Sequence, residues 1–299
     1  MTNPQTPTVK PAFIVIGAIK AATTWIQKQL QAHPDIYMPD VEPHYFSSEY
    51  NRGPAYYDGL FRPAPFGAVL GEKSADYLAH PHAAERIAHC YPDVKILVQL
   101  RNPVDRAYSD YKMLYRRGTI QDGPEQYLKA LHSAQPRLLE NGRYAEHLSR
   151  WLKLFPTANI LPFLFEDVRE RPQETLDMAC RFIGVDPLIV GAGARRENDS
   201  TERFLPLPVR KALAPLKGFV APLRGKQWFE ATRDLMTRQI RYPAMSSDLR
   251  GQIEQYYADD IAALEEILGR NLDCWCPRPS SEDAAPPQMA VQMGASRGF

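Results

Sequence analysis

Two groups of residues in this 299-residue chain have the types and spacing to do chemistry on an anion. The first is Gly17-Ala-Ile-Lys20-Ala21-Ala22-Thr23-Thr24, which follows the apolar run Phe13–Ile16 and leads into Trp25, Ile26 and Leu30 at helical spacing. Free N–H groups at a helix start, the positive end of its dipole, a lysine and two hydroxyls together suit a phosphate or sulfate ester. This is not a Walker A loop, because Thr23 holds the register of the Walker lysine and Lys20 lies three positions earlier. A lysine inside the loop aims at a different atom of the ligand. Taken alone, the pattern equally describes an ordinary βα turn with an exposed lysine. The second group is Arg101-Asn-Pro-Val-Asp-Arg-Ala-Tyr-Ser109, after the apolar run Lys95–Leu100. An arginine fork and a hydroxyl two helical turns away make a phosphate clamp. The competing reading pairs Arg101 with Asp105 or another carboxylate and leaves Ser109 as a surface residue.

Both groups need a sheet to bring them together. Phe13–Ile16, Lys95–Leu100 and Ile160–Phe165 read as buried strands, each followed by a helical pattern, and that alternation predicts a parallel sheet with helices on both faces. Asn102 fits a helix N-cap and Pro103 the first helical turn. In open α/β sheets ligands bind outside the carboxyl ends of the strands, so Lys20 and Arg101 are expected at one rim. Leu249, Ile253, Tyr256, Tyr257, Ile261, Leu264 and Leu268 recur at helical spacing and predict an amphipathic closing helix over 246–268.

Composition narrows the class. Lys plus Arg total 36 against 35 Asp plus Glu, so no global field steers the chain to nucleic acid or an anionic membrane, and any anion site is local. No apolar run approaches the ~18 residues of a membrane span, and residues 1–10 lack the apolar core of a signal peptide, so a cytoplasmic location is expected. Cys90, Cys180, Cys274 and Cys276 do not form a disulfide framework and read as thiols, and the Cys-Trp-Cys spacing matches neither zinc nor redox pairs, so no metal site is expected. Residues 1–11 and 277–299 are patternless and read as flexible ends around one domain, 12–276. Within it, 194–243 breaks the rhythm with prolines and many cationic residues, and reads as an irregular basic lid.

The loop and the clamp, in this order and at this separation, resemble the 5′-phosphosulfate loop and 3′-phosphate motif of sulfotransferases that use 3′-phosphoadenosine-5′-phosphosulfate (PAPS). The likeness is to the branch containing heparan sulfate sulfotransferase domains and their bacterial relatives, and runs from about Phe13 to Trp275. It includes His33-Pro34-Asp35, Glu42-Pro43-His44-Tyr45-Phe46, Gly71-Glu72-Lys73-Ser74-Ala75-Asp76-Tyr77 and Arg241-Tyr242-Pro243-Ala244-Met245. The resemblance implies an α/β fold related to nucleotide kinases and an in-line transfer of sulfonate from PAPS. Gly17, Lys20, Ala21, Ala22, Thr23 and Thr24 would hold the 5′-phosphosulfate, with Lys20 neutralising the leaving oxygen. Arg101 and Ser109 would hold the 3′-phosphate, and Arg238 and Arg241 would close on it from the lid. Glu42 stands where the family has its general base, with His44 as a rival that titrates nearer neutrality. Lys73 resembles the family lysine near the transferred sulfonate.

Two departures stand out. Ala22 replaces the usual glycine of the loop, and the paired cysteines near the lid of the animal heparan enzymes are absent, which leaves an animal-type polysaccharide acceptor unsupported. The acceptor is expected to be the hydroxyl or amine of a small molecule, lipid or carbohydrate. Two other readings remain: a phosphotransferase of the nucleotide-kinase type, and a binding module for nucleotide or glycan without catalysis.

Overall fold

Five parallel strands form the central sheet in the computed structural model, which describes residues 6–129, 135–190, 203–204 and 238–275. They are β1 (Phe13–Gly17), β2 (Ile36–Tyr37), β3 (Val69–Lys73), β4 (Lys95–Leu100) and β5 (Ile160–Leu164), in the spatial order β2-β3-β1-β4-β5. β1 is the central strand, pairing Phe13 with Gly71 on one side and with Lys95 on the other. All five of its residues are buried, as a strand covered on both faces must be.

Alternation along the strands divides the core in two. Phe13, Val15, Leu97 and Phe163 face α1 (Thr23–Gln31) and the later helix Pro172–Ile183. Ile14, Ile16, Ile96, Val98 and Leu100 face a larger layer. That layer includes Ala83–Cys90, the long helix Pro103–Arg117 and Tyr144–Leu152, closed by the C-terminal helix Ser247–Leu268.

Several expected boundaries appear in the hydrogen bonding. Asn102 caps the helix Pro103–Arg117 by accepting from the N–H groups of Val104 and Asp105. Ser246 caps the closing helix by accepting from Leu249. Asp105, one of the carboxylates that the competing reading offered to Arg101, pairs instead with Arg250 of the closing helix. Cys90, Cys180 and Cys274 are free thiols, and Cys276 lies outside the described residues. Among the described residues, no helix is long and apolar enough to cross a membrane.

The topology fixes where a ligand can sit. From β1 the chain leaves to α1 on one face, and from β4 to the helix Pro103–Arg117 on the other. Neighbouring strands whose connections diverge open a crevice beyond their carboxyl ends. The Lys20 loop and Arg101 form its two lips.

Candidate active site

The loop after β1 is held by backbone bonds and by close contact. Ala18 N–H donates to Gln99 O at 2.7 Å, tying the loop to β4. Gly17 has φ 148°, and a Cβ there would lie 2.7 Å from Ala75 O, so only glycine fits. Ala22, the residue before α1, takes φ 66° and ψ 30° in the left-handed region. A side chain costs roughly 1–2 kcal/mol in that conformation, which is why glycine suits the position and why alanine is a departure with a physical consequence. Among the described non-glycine residues, positive φ occurs at Lys20, Ala22 and His44, all at this edge of the sheet. Strained backbone of this kind concentrates at working sites.

Lys20 sits in a cationic environment. Burial lowers its ammonium, Asp110 raises it, and Arg116, Arg101 and Arg117 lower it further, leaving it below the ordinary lysine value. Arg101 reaches across the crevice, donating to Lys20 O at 3.4 Å, while its guanidinium lies 4.6 Å from the Phe165 ring centre. Four cationic side chains around one loop favour an anionic ligand carrying more than one charge. Thr23 is buried at the start of α1, Thr24 is half-buried beside it, and Ser109 is half-buried two turns along its helix.

Beyond the ends of β2 and β3 lies a second cluster. Glu42 Oε1 accepts from Lys73 Nζ at 2.6 Å and its Oε2 from Ala75 N–H at 2.9 Å. Lys73, at the end of β3, is almost wholly buried. The His44 ring stands with Nε2 3.9 Å from Glu42 Oε2 and Nδ1 2.7 Å from Asp76 Oδ1. The hydrogen bond to Asp76 is the main cause that raises the His44 pKa; burial opposes it, and the charges of Asp76, Glu42 and Glu72 add to it. Burial pushes the Asp76 carboxyl up, but hydrogen bonds from His44 and Ser47 and the His44 charge hold it below its usual range. The ligand-type atoms of Glu42, His44 and Asp76 lie within 4.8 Å of one another. We assign no metal to them, because the Lys73 ammonium already supplies the positive charge against Glu42.

Behind this cluster, Glu72 organises the loop that carries it. The buried carboxylate accepts from Tyr57 at 2.9 Å, Ser74 at 3.1 Å and Tyr77 at 3.3 Å. Ser74 Oγ accepts from His44 N–H at 2.9 Å, and Tyr77 Oη accepts from Phe46 N–H at 3.2 Å. The segment 74–78 also joins the two clusters, since Ser74 N–H donates to Val15 O and Leu78 N–H to Ile16 O.

The structure therefore places Gly17, Lys20–Thr24 and Arg101 on one side of this edge and Glu42, His44 and Lys73 on the adjoining side. Arg241 is exposed, in a segment that docks on the helix Pro103–Arg117 where Tyr108 Oη donates to Pro243 O at 2.9 Å. Arg238 lies in a two-residue strand paired antiparallel with Arg203–Phe204, and most of the expected lid falls outside the described residues. The sequence reading missed Asp76, Glu72, Asp110, Arg116 and Arg117. Arg116 carried a usable signal, since it follows Ser109 by two helical turns on the same face.

A family model described as a sulfotransferase domain matches residues 10–193. The bovine bifunctional heparan sulfate N-deacetylase/N-sulfotransferase 2 is 31% identical over 290 residues, covering 87% of this chain and 30% of that protein. The mouse heparan sulfate glucosamine 3-O-sulfotransferase 6 is 31% identical over 188 residues, 60% of this chain and 54% of that protein. The chain thus spans about a third to a half of the length of these relatives. Among solved structures, a sulfotransferase from Alicyclobacillus acidocaldarius superposes with a TM-score of 0.67 at 27% identity, covering 90% of this chain and 99% of that one.

Proposed function

The chain belongs to the sulfotransferase domain family, and on that premise we propose that it transfers a sulfonate group from PAPS to a hydroxyl or amine of a carbohydrate, lipid or other small molecule. One observation carries this reading: the carboxyl ends of four neighbouring strands bring a lysine-bearing anion loop and an arginine beside a lysine-held carboxylate and an imidazole. The first pair suits a donor with two anionic groups, and the second suits an acceptor that must lose a proton.

Each residue then has a distinct task. The N–H groups opening α1, with Thr23 and Thr24, bind the 5′-phosphate, while Arg101 and Ser109 bind the 3′-phosphate across the crevice. Lys20 neutralises charge that grows on the bridging oxygen as its bond to sulfur breaks. Lys73 holds Glu42 toward the acceptor, and the Glu42–His44 side removes the acceptor's proton. Arg238 and Arg241 are proposed to approach the 3′-phosphate from the lid. The N- and 3-O-sulfotransferase relatives are named for heparan sulfate, which puts carbohydrates first among acceptors to try.

The test is to incubate the purified chain with PAPS and a panel of amine- and hydroxyl-bearing acceptors, reading products that have gained one SO₃ by mass spectrometry. Product that requires PAPS, and forms without ATP or magnesium, supports the reading. Transfer from ATP–magnesium instead would point to a phosphotransferase, and binding without turnover across the panel to a non-catalytic module.

A further inference from the structure

We propose that Asp76 is a positioning residue for the transfer: by accepting the Nδ1–H of His44 it leaves the bare Nε2 facing Glu42, ready to take over the proton that leaves the acceptor. The inference rests on the sulfotransferase reading and deepens its account of the proton.

Glu42 alone is poorly placed to keep a proton. Each of its oxygens already accepts a bond, from the buried Lys73 at 2.6 Å and from Ala75 N–H at 2.9 Å. A protonated Glu42 beside the Lys73 ammonium must lose its proton quickly to restore that pair. His44 is the group within reach. Its Nε2 lies 3.9 Å from Glu42 Oε2, a gap too wide for a direct hydrogen bond, yet one oxygen at roughly 2.8 Å from both atoms can bridge it. The ring is about one-third exposed, which gives the proton an exit to water.

The tautomer follows from the other nitrogen. Asp76 Oδ1 at 2.7 Å from Nδ1 is an acceptor, so neutral His44 carries its hydrogen on Nδ1 and keeps Nε2 bare. The ring is also fixed from behind: His44 has φ 49°, and its N–H donates to Ser74 Oγ, which in turn donates to Glu72. In the transfer the acceptor oxygen or nitrogen forms its bond to sulfur as the bond from sulfur to the bridging oxygen breaks, with that electron pair leaving on the phosphate. The acceptor's proton goes to Glu42 and then to Nε2, giving an imidazolium flanked by the carboxylates of Asp76 and Glu42, with the Glu72 carboxyl behind and Lys73 across Glu42. Asp76 stabilises that cation.

The experiment measures the single-turnover rate at saturating PAPS from about pH 5 to 8, for wild type, Asp76→Asn and Asp76→Glu. A relay through His44 requires the neutral ring, so the wild-type rate should rise with pH through the His44 titration. Asp76→Asn should lower the plateau about a hundredfold and move the rising limb to lower pH, with partial recovery in Asp76→Glu. A variant profile that is only a scaled copy of wild type, or an unchanged rate, overturns the proposal. Should Asp76→Asn not fold, the ring-proton NMR titration of His44 in wild type decides, using His44→Asn to assign the signal. A midpoint coinciding with the kinetic limb supports the relay, and a limb elsewhere overturns it. Wild type that never transfers sulfonate overturns the parent reading instead, while the NMR titration of Asp76→Asn still tests the Asp76–His44 coupling.

Discussion

Glu72 should make the stability of this protein fall with pH, and Glu72→Gln should remove that dependence. The side chain is fully buried, and burial raises its carboxyl from the ordinary 4.5 to about 7, against the hydrogen bonds from Tyr57, Ser74 and Tyr77 that favour the ionised form. A carboxyl whose folded pKa is raised holds its proton in the folded chain after the unfolded chain has lost it. Its contribution to stability is therefore complete below about pH 4.5 and gone above about pH 7, with a slope near 1.4 kcal/mol per pH unit between. Integrated over that window the change is about 3 kcal/mol. Glutamine does not titrate and can still accept hydrogen bonds from the surrounding hydroxyls. Urea unfolding of wild type and Glu72→Gln across the window gives the difference between two curves that share every other titrating group. That difference should change by about 3 kcal/mol, with wild type losing relative stability as pH rises. A difference that stays constant with pH would refute the reasoning.

Two changes address the chemistry. Lys20→Ala removes the charge proposed to neutralise the leaving oxygen and should lower turnover by about 10²- to 10³-fold, measured under single-turnover conditions; a near-normal rate would remove Lys20 from its role. Glu42→Gln keeps the shape but not the basicity, so turnover should fall while calorimetry shows 3′-phosphoadenosine-5′-phosphate still bound. An active Glu42→Gln with an inactive His44→Ala would hand Glu42's role to His44.

Three of the five strands, β1, β4 and β5, were legible because they are short, mostly apolar runs, and β4 leads straight into a helix capped by Asn102. Phe13–Gly17 and Lys95–Leu100 needed only periodicity and the Asn102-Pro103 signal. Residues local to a motif were legible too, since a loop between a strand and a helix has one place to go. Contacts made by folding were not. Nothing in the spacing of Glu42 and Lys73 shows that they meet at 2.6 Å, or that Asp76 rather than Glu42 hydrogen-bonds His44. Glu72 illustrates the same limit, because its three hydroxyl partners come from Tyr57 on one side of β3 in the chain and Ser74 and Tyr77 on the other. Asp110 reads as one more helical carboxylate until the fold sets it where it raises the Lys20 pKa.

The central claim is that the crevice binds a donor with two separate anionic groups, and calorimetry with 3′-phosphoadenosine-5′-phosphate and AMP tests it directly. The two nucleotides differ in the 3′-phosphate that Arg101 and Ser109 are proposed to hold, and a charge-assisted hydrogen bond contributes about 1.5–3 kcal/mol. Wild type should bind 3′-phosphoadenosine-5′-phosphate at least about tenfold more tightly than AMP, since ~1.4 kcal/mol is one decade. In Arg101→Ala most of that preference should vanish while the affinity for AMP changes little. Equal affinity of wild type for the two nucleotides, or a preference that survives loss of Arg101 and Ser109 together, would contradict the account.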